Sequence, residues 1–475
     1  MQRLSALDAS FLRVESATAH MHIGWLSWLR LPAGRESLDV EMLAMRIASR
    51  LHFAPRFRQR LQQLPIGEPA WADDPEFRLD HHIQRAEPGR RFSPREARGL
   101  ADEFLSEPLD REMPLWSLLA IPAVGAGRAA IVGKVHHAMV DGIAAVELGT
   151  LLFDLVAEAG PAEPVDWDPQ PVATGVRLAI DTLANDAIDQ FRATTRAVRM
   201  GLQPRRTARL AETTRRAALS AIGDAVRSAP PSHLNVAITA KRTLVTESVP
   251  LRRLGVIKSA NSVTLNDVVL ACASGALRRL ATSAGESPQA LRAMVPVSVR
   301  NPDDPEGGNR ITFAFIDLPC DEVDPRARLA AVHEQMRELK ESGLIGGSEA
   351  VLRSTGALPG FLKERAARLA ASPRMYNLTV SNVPGPRSAL YVAGAEVEST
   401  YPVIPISDRH AIAIGVLSYR GRMHFAANAN PDALPTAPEV GPMLGDAVAE
   451  LEGATGVARP RQPSRRRLRT TRVTA

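Results

Sequence analysis

The residue types best suited to proton chemistry sit together in one stretch, I-V-G-K-V-H-H-A-M-V-D-G-I-A-A-V-E-L-G-T-L-L, residues 131–152. His136 and His137 are adjacent, Asp141 stands four positions after His137, and Gly142 follows it. A neutral imidazole takes up a proton near neutral pH without a large pKa shift, so a histidine held in a fixed place is a candidate general base. A core histidine beside a helix cap is the plainer reading of a lone His-x-x-x-Asp. Four matching positions of H-H-x-x-x-D-G in one strand-turn-helix context favour catalysis instead. Zinc is a second alternative. Adjacent strand side chains diverge, however, and no cysteine or further histidine lies nearby, so no metal is expected.

The flanking pattern indicates the elements that must carry these groups. Ile131, Gly133, Val135 and His137 alternate with Val132, Lys134 and His136, as on a strand, which predicts that the two rings face opposite ways. Asp141 occupies an N-cap position, and Gly142 tolerates a close backbone approach or a positive φ. Ile143, Val146, Leu151 and Leu155 supply the apolar stripe of a following helix, which Gly160-Pro161 ends.

A chain of 475 residues is long enough for two domains with cores of their own. Its 45% apolar and 23% charged residues are the balance of a soluble globular protein. Cys272 and Cys320 stand far apart in apolar contexts, which predicts a reducing, cytoplasmic setting without a disulfide framework. No signal-peptide-like run and no bilayer-spanning run is visible, so lying on a membrane is the only membrane contact expected. The net charge of +6 misrepresents the body of the protein. Seven arginines between Arg459 and Arg472 exceed it, leaving the rest near neutral, and no specific nucleic acid partner is expected.

Periodicity divides the chain into 1–160, with the paired histidines; a linker and helical connector, 161–232; a second half, 233–455; and an Arg-rich tail, 456–475, expected to be disordered. Each half reads as a sheet with helices, an α/β (α+β) protein. The pattern predicts a helix over Asp39–Leu51, a strand over Phe77–Ile83, a buried helix over residues 264–280 capped by Thr264, Asn266 and Asp267, and a tight turn at residues 381–386. Residues 174–228 read as a basic helix, inter-domain in preference to interfacial. Arg56, Arg58 and Arg60 read as a solvated face. His81-His82 lacks a following Asp-Gly and is structural or site-lining at best.

The H-H-x-x-x-D-G string resembles that of the CoA-dependent acyltransferase superfamily, which includes chloramphenicol acetyltransferase and peptide-synthetase condensation domains. L-S-A-L-D-A-S-F-L with M-H-I-G, W-A-D-D-P-E-F-R-L-D-H-H, P-L-D-R-E-M-P-L-W, the Asn266-Asp267 pair and S-N-V-P-G-P narrow the resemblance to the bacterial wax ester synthase/diacylglycerol acyltransferase family. It runs from Leu4 to about Leu451. His20, Ser117 and Ser381 stand where that family more often has Pro, Glu and Thr.

The resemblance implies two chloramphenicol-acetyltransferase-like domains, each a mixed sheet flanked by helices, with the active-site tunnel between them. It implies His137 as general base, with His136 and Gly142 shaping the turn, Asp141 holding it, and Asn266 and Asp267 lining the substrate side without transferring protons. The implied reaction moves an acyl group from acyl-CoA, a co-substrate rather than a cofactor, to diacylglycerol or a long-chain alcohol, at a membrane or lipid-droplet surface. A non-catalytic lipid-binding relative and a condensation-type enzyme with another acceptor are the alternatives.

Overall fold

The computed structural model describes residues 2–64, 68–139, 149, 151–158, 160, 163, 165–170, 228–298, 311–341 and 360–456. The first half runs through Gln2–Arg3 (β1), Ala6–Val14 (α1), His22–Arg30 (β2), Val40–Arg50 (α2), Gln59–Gln62 (β3), Ala70–Asp73 (β4), Ile83–Arg85 (β5), Pro94–Ser106 (α3), Trp116–Val124 (β6) and Arg128–His136 (β7). The second carries Thr243–Pro250 (β8), Leu251–Asn261 (α4), Leu265–Ser283 (α5), Leu291–Ser298 (β9), Ile311–Leu318 (β10), Pro325–Glu341 (α6), Gly360–Ala370 (α7), Leu378–Pro384 (β11), Tyr391–Val392 (β12), Ala395–Val403 (β13), Ile412–Tyr419 (β14), Arg422–Ala429 (β15) and Val440–Ala454 (α8). Short polar side chains start the helices: Ser5 caps α1, Asp39 caps α2, and Ser93–Glu96 and Thr264–Asp267 form capping boxes on α3 and α5.

Two six-stranded mixed sheets form the frame, in the orders β12-β13-β2-β7-β6-β5 and β10-β9-β11-β14-β15-β8. β2 lies antiparallel to β7 with His22 opposite His136. In the middle of that pair the Trp25 ring crosses Gly133, where an added Cβ would meet it at 2.1 Å, so only glycine lets the strands pack here. The first sheet is completed by the other half of the chain. β13 leaves the second half and pairs with β2 from Glu396 opposite Arg30 to Val403 opposite Gly24. The hydroxyls of Ser27 and Thr400, 373 residues apart, join across this seam at 2.9 Å. Tyr401, Val403, Leu244 and Ala426 share one buried cluster with Leu26, Leu119 and Val132 of the first half.

Several expectations change. Residues 391–403 were expected within the second half, but they belong to the first sheet. The Phe77–Ile83 segment makes a 3-10 turn, Leu79–His81, because Phe77 N–H bonds back to the Asp74 carbonyl and bends the chain. Ser381 to Pro384 form the end of β11, parallel to Gly415–Ser418 of β14, rather than a free turn. Arg56 and Arg58 are not a solvated pair: their guanidinia lie over Trp71 and Trp167, at 4.7 and 4.5 Å from the ring centroids. Leu151 and Leu152 are buried, whereas Leu155 is exposed, because Asp154 leaves the helix to bridge with Tyr391. The rest of the helix after Gly142, the connector at 174–227 and the tail from 457 lie outside the described residues.

Candidate active site

β7 ends at His136, and His137 begins the turn that follows. The His137 N–H still bonds the Met21 carbonyl, one step beyond the pairing of His22 with His136. Both rings are reached by one helix, α1 with its C-cap. The Phe11 ring stacks on His137, with centroids 3.8 Å apart and planes 16° apart. Glu15, one helical turn later, places Oε2 3.6 Å from His136 Nε2.

The two imidazoles are held differently. His136 is 1% exposed, and its Nδ1 accepts the Ala138 N–H at 3.1 Å, which assigns the proton to Nε2, facing Glu15. Burial works against the Glu15 charge, yet the nearby His136 and Arg111 outweigh it and hold this carboxyl below its ordinary range. The Arg111 Nε–H donates to Glu15 Oε2 at 2.7 Å, tying α1 to the loop before β6. His137 is half-buried. Its backbone N–H is fixed at 2.9 Å by the carbonyl of Met21, a residue with φ +48°. A methionine in the left-handed region costs energy, and here that geometry aims a carbonyl at the turn. His137 Nδ1 is enclosed without a hydrogen-bond partner among the described residues. Burial brings the ring's pKa down to about 4, against the pull of its own carbonyl. The imidazole is therefore neutral throughout the physiological range.

Phe11 and Met21 separate His137 from a cavity of about 290 Å³ between the two halves. Its walls are largely apolar: Leu7, Phe11 and Val14 from α1, Met294 and Phe313 from β9 and β10, and alanines of α7. Arg13 and Lys363, also in the wall, both bind Glu68, the latter at 3.1 Å, and so tie α1 to α7. A space with such walls suits a hydrocarbon chain.

Asp141 and Gly142 lie outside the described residues. Asn266 and Asp267 are placed at the start of α5. Asp267, 0% exposed, accepts the Thr264 N–H at 2.8 Å and bonds His333 Nδ1 at 2.7 Å. It serves the helix end. Asn266 instead accepts from the Asn382 amide at 3.3 Å, which brings two separated sequence motifs together. His82 is buried, stacked on Trp116, with Nδ1 2.8 Å from the Trp116 carbonyl. Sequence reasoning missed Phe11 as a contact of the histidine and Glu15 altogether, and had Met21 only as part of the M-H-I-G string. The signal available was a Phe and a Glu four apart at the end of one short helix. Among the described residues no three His, Cys, Asp or Glu side chains converge as a metal site.

Comparison with known proteins fits this geometry. Residues 4–269 match the wax ester synthase/diacylglycerol acyltransferase catalytic domain, and residues 307–452 match the C-terminal domain of the same group. A probable diacylglycerol O-acyltransferase of Mycobacterium tuberculosis, tgs1, is 32% identical over 476 residues, covering 98% of each chain. The wax ester synthase/diacylglycerol acyltransferase of Marinobacter aquaeolei VT8 superposes with a TM-score of 0.65 at 26% identity, covering 96% of this chain and 100% of that one. The first condensation domain of the CDA synthetase shares the fold, with a TM-score of 0.58 at 17% identity over 96% of this chain and 97% of its own. The chain thus belongs to the wax ester synthase/diacylglycerol acyltransferase family.

Proposed function

We propose that the protein transfers a long-chain acyl group from acyl-CoA to the hydroxyl of diacylglycerol, giving triacylglycerol, and to long-chain alcohols, giving wax esters. The observation that carries this reading is a neutral, half-buried imidazole behind the wall of an apolar cavity between the two halves. His137 is the general base. With Nδ1 enclosed, Nε2 takes the hydroxyl proton as that oxygen attacks the thioester carbon. The tetrahedral oxyanion collapses, the C–S bond breaks, and the CoA thiolate recovers the proton from His137. A thiol of pKa about 8.5 is a good leaving group. Buried His136 holds the turn through Ala138, with Glu15 on its other side.

An acyl-enzyme on cysteine is disfavoured. Cys272 and Cys320 are buried in the second core, and burial pushes both thiols up to about 12, so neither supplies a thiolate. Transfer is direct, within one ternary complex. Among the described residues no helix is long and apolar enough to cross a membrane. Since the acceptors are lipids, we place the protein in the cytoplasm, working at a membrane or lipid-droplet surface.

The test is an assay of the purified protein with labelled palmitoyl-CoA, offering diacylglycerol and hexadecanol in parallel. Labelled triacylglycerol is the expected main product, with wax ester as a second. Absence of both from folded protein would sink the proposal in favour of a lipid-binding relative.

A further inference from the structure

Most polar side chains in the wall of the apolar cavity are already engaged. Arg13 and Lys363 both donate to Glu68, and the Ser10 hydroxyl donates to the Leu7 carbonyl at 2.6 Å. Two hydroxyls remain in that wall, Tyr376 Oη and Ser407 Oγ, 2.7 Å apart. We propose that this pair receives an ester carbonyl of the diacylglycerol acceptor, and so sets a preference for diacylglycerol over long-chain alcohols; this rests on the acyltransferase reading above.

The hydrogen count leaves the pair with something to give. Thr379 also hydrogen-bonds to Tyr376. Three hydroxyls in a row use two hydrogens between them and leave one over. Tyr376 and Thr379 are buried, whereas Ser407 is half-buried, so the row opens to the cavity at the serine.

The fold holds the pair in place before any ligand arrives. Tyr376, 1% exposed, stands two residues before β11, and the His410 ring stacks on it with centroids 4.3 Å apart and planes 26° apart. His410 Nε2 lies 3.1 Å from the Tyr376 carbonyl, and the His410 N–H donates to the Ser407 carbonyl at 3.1 Å. One histidine therefore ties both hydroxyl-bearing residues. Burial pushes the Tyr376 hydroxyl up to about 12, against the hydrogen bonds with Ser407 and Thr379, so it keeps its proton at neutral pH.

The chemistry separates the two acceptor classes. A long-chain alcohol has one polar group, the hydroxyl that must meet the acyl carbon beside His137. Diacylglycerol brings two ester carbonyls besides that hydroxyl, and a carbonyl taken from water into apolar walls without a donor is costly. A hydroxyl set in those walls removes that cost for diacylglycerol and does nothing for the alcohol. The thioester carbonyl of the donor is tied to the reacting hydroxyl at His137, which Phe11 and Met21 divide from the cavity, so it does not compete for the pair.

The experiment offers three acceptors in mixed micelles with palmitoyl-CoA: dipalmitoylglycerol, its dihexadecyl ether analogue, which has the same chains without carbonyls, and hexadecanol. The wild type should prefer the diester to the diether in kcat/KM. In Ser407→Ala that preference should shrink by about three- to tenfold, the worth of one hydrogen bond, with the diether and hexadecanol rates close to wild type. Tyr376→Phe, which removes a single oxygen, should act the same way, and Ser407→Thr should restore the preference. An equal loss on all three acceptors, or a diester-to-diether ratio unchanged in both folded variants, would overturn the assignment. Wild-type turnover of hexadecanol alone would overturn it too while leaving acyl transfer intact. A wild type that uses none of the three would overturn the acyltransferase reading, and this assignment with it.

Discussion

Two buried polar clusters, both marked by sequence motifs, are put to opposite uses. At the start of α5, Asp267 Oδ2 is shared between the Thr264 N–H and His333, and the cluster is packed against the second core. At the end of β7, His137 makes its hydrogen bond through the backbone, while its ring stacks on Phe11 with Nδ1 unpaired among the described residues. A polar side chain spent on backbone groups stabilises a helix end. A ring held by stacking, its Nδ1 without a hydrogen-bond partner among the described residues, keeps its proton-accepting capacity for a substrate. The difference separates a structural motif from a reactive one.

Removing each ring or carboxylate should pull the two clusters apart. His137→Ala should lower kcat by about 10²- to 10⁴-fold, the usual contribution of a general base, with a melting midpoint close to wild type. Assays at saturating palmitoyl-CoA beside calorimetric melts read both quantities. A folded variant with near-parental turnover would remove His137 from the chemistry. Asp267→Ala should do the reverse. Losing the capping-box carboxylate and its bond to His333 should cost about 1–3 kcal/mol of stability, seen as an earlier urea midpoint, while turnover at low temperature persists. Parental stability with lost turnover would give Asp267 a place on the substrate side.

Much of this was readable in the chain. The paired histidines, the two sheet-and-helix halves and the β14–β15 hairpin all carry local signals. Arg420 and Gly421 take φ +46° and +72°, the geometry of a two-residue hairpin turn. What escaped was non-local. β13 joins β2 from a point 373 residues away at Ser27–Thr400, and no window of sequence records a partner at that distance. The contacts of the two histidine rings escaped for a related reason: alternation describes β7 alone, and the position of α1 decides what each ring touches. Arg56 and Arg58 read as solvated because charge is visible in sequence and a tryptophan face beneath it is not.

The reactive role of His137 rests on a ring kept neutral by burial, and the pH dependence of kcat/KM for the wild-type enzyme tests this most directly, since that ratio reports the free enzyme. A depressed pKa leaves the base form dominant as pH falls, and the form is lost only near a pKa of about 4. With initial rates taken immediately after transfer into each buffer, kcat/KM should stay level from pH 7 to about pH 5 and bend downward only as pH approaches 4. A profile already falling through about 6.5, the value of an unperturbed imidazole, would contradict it.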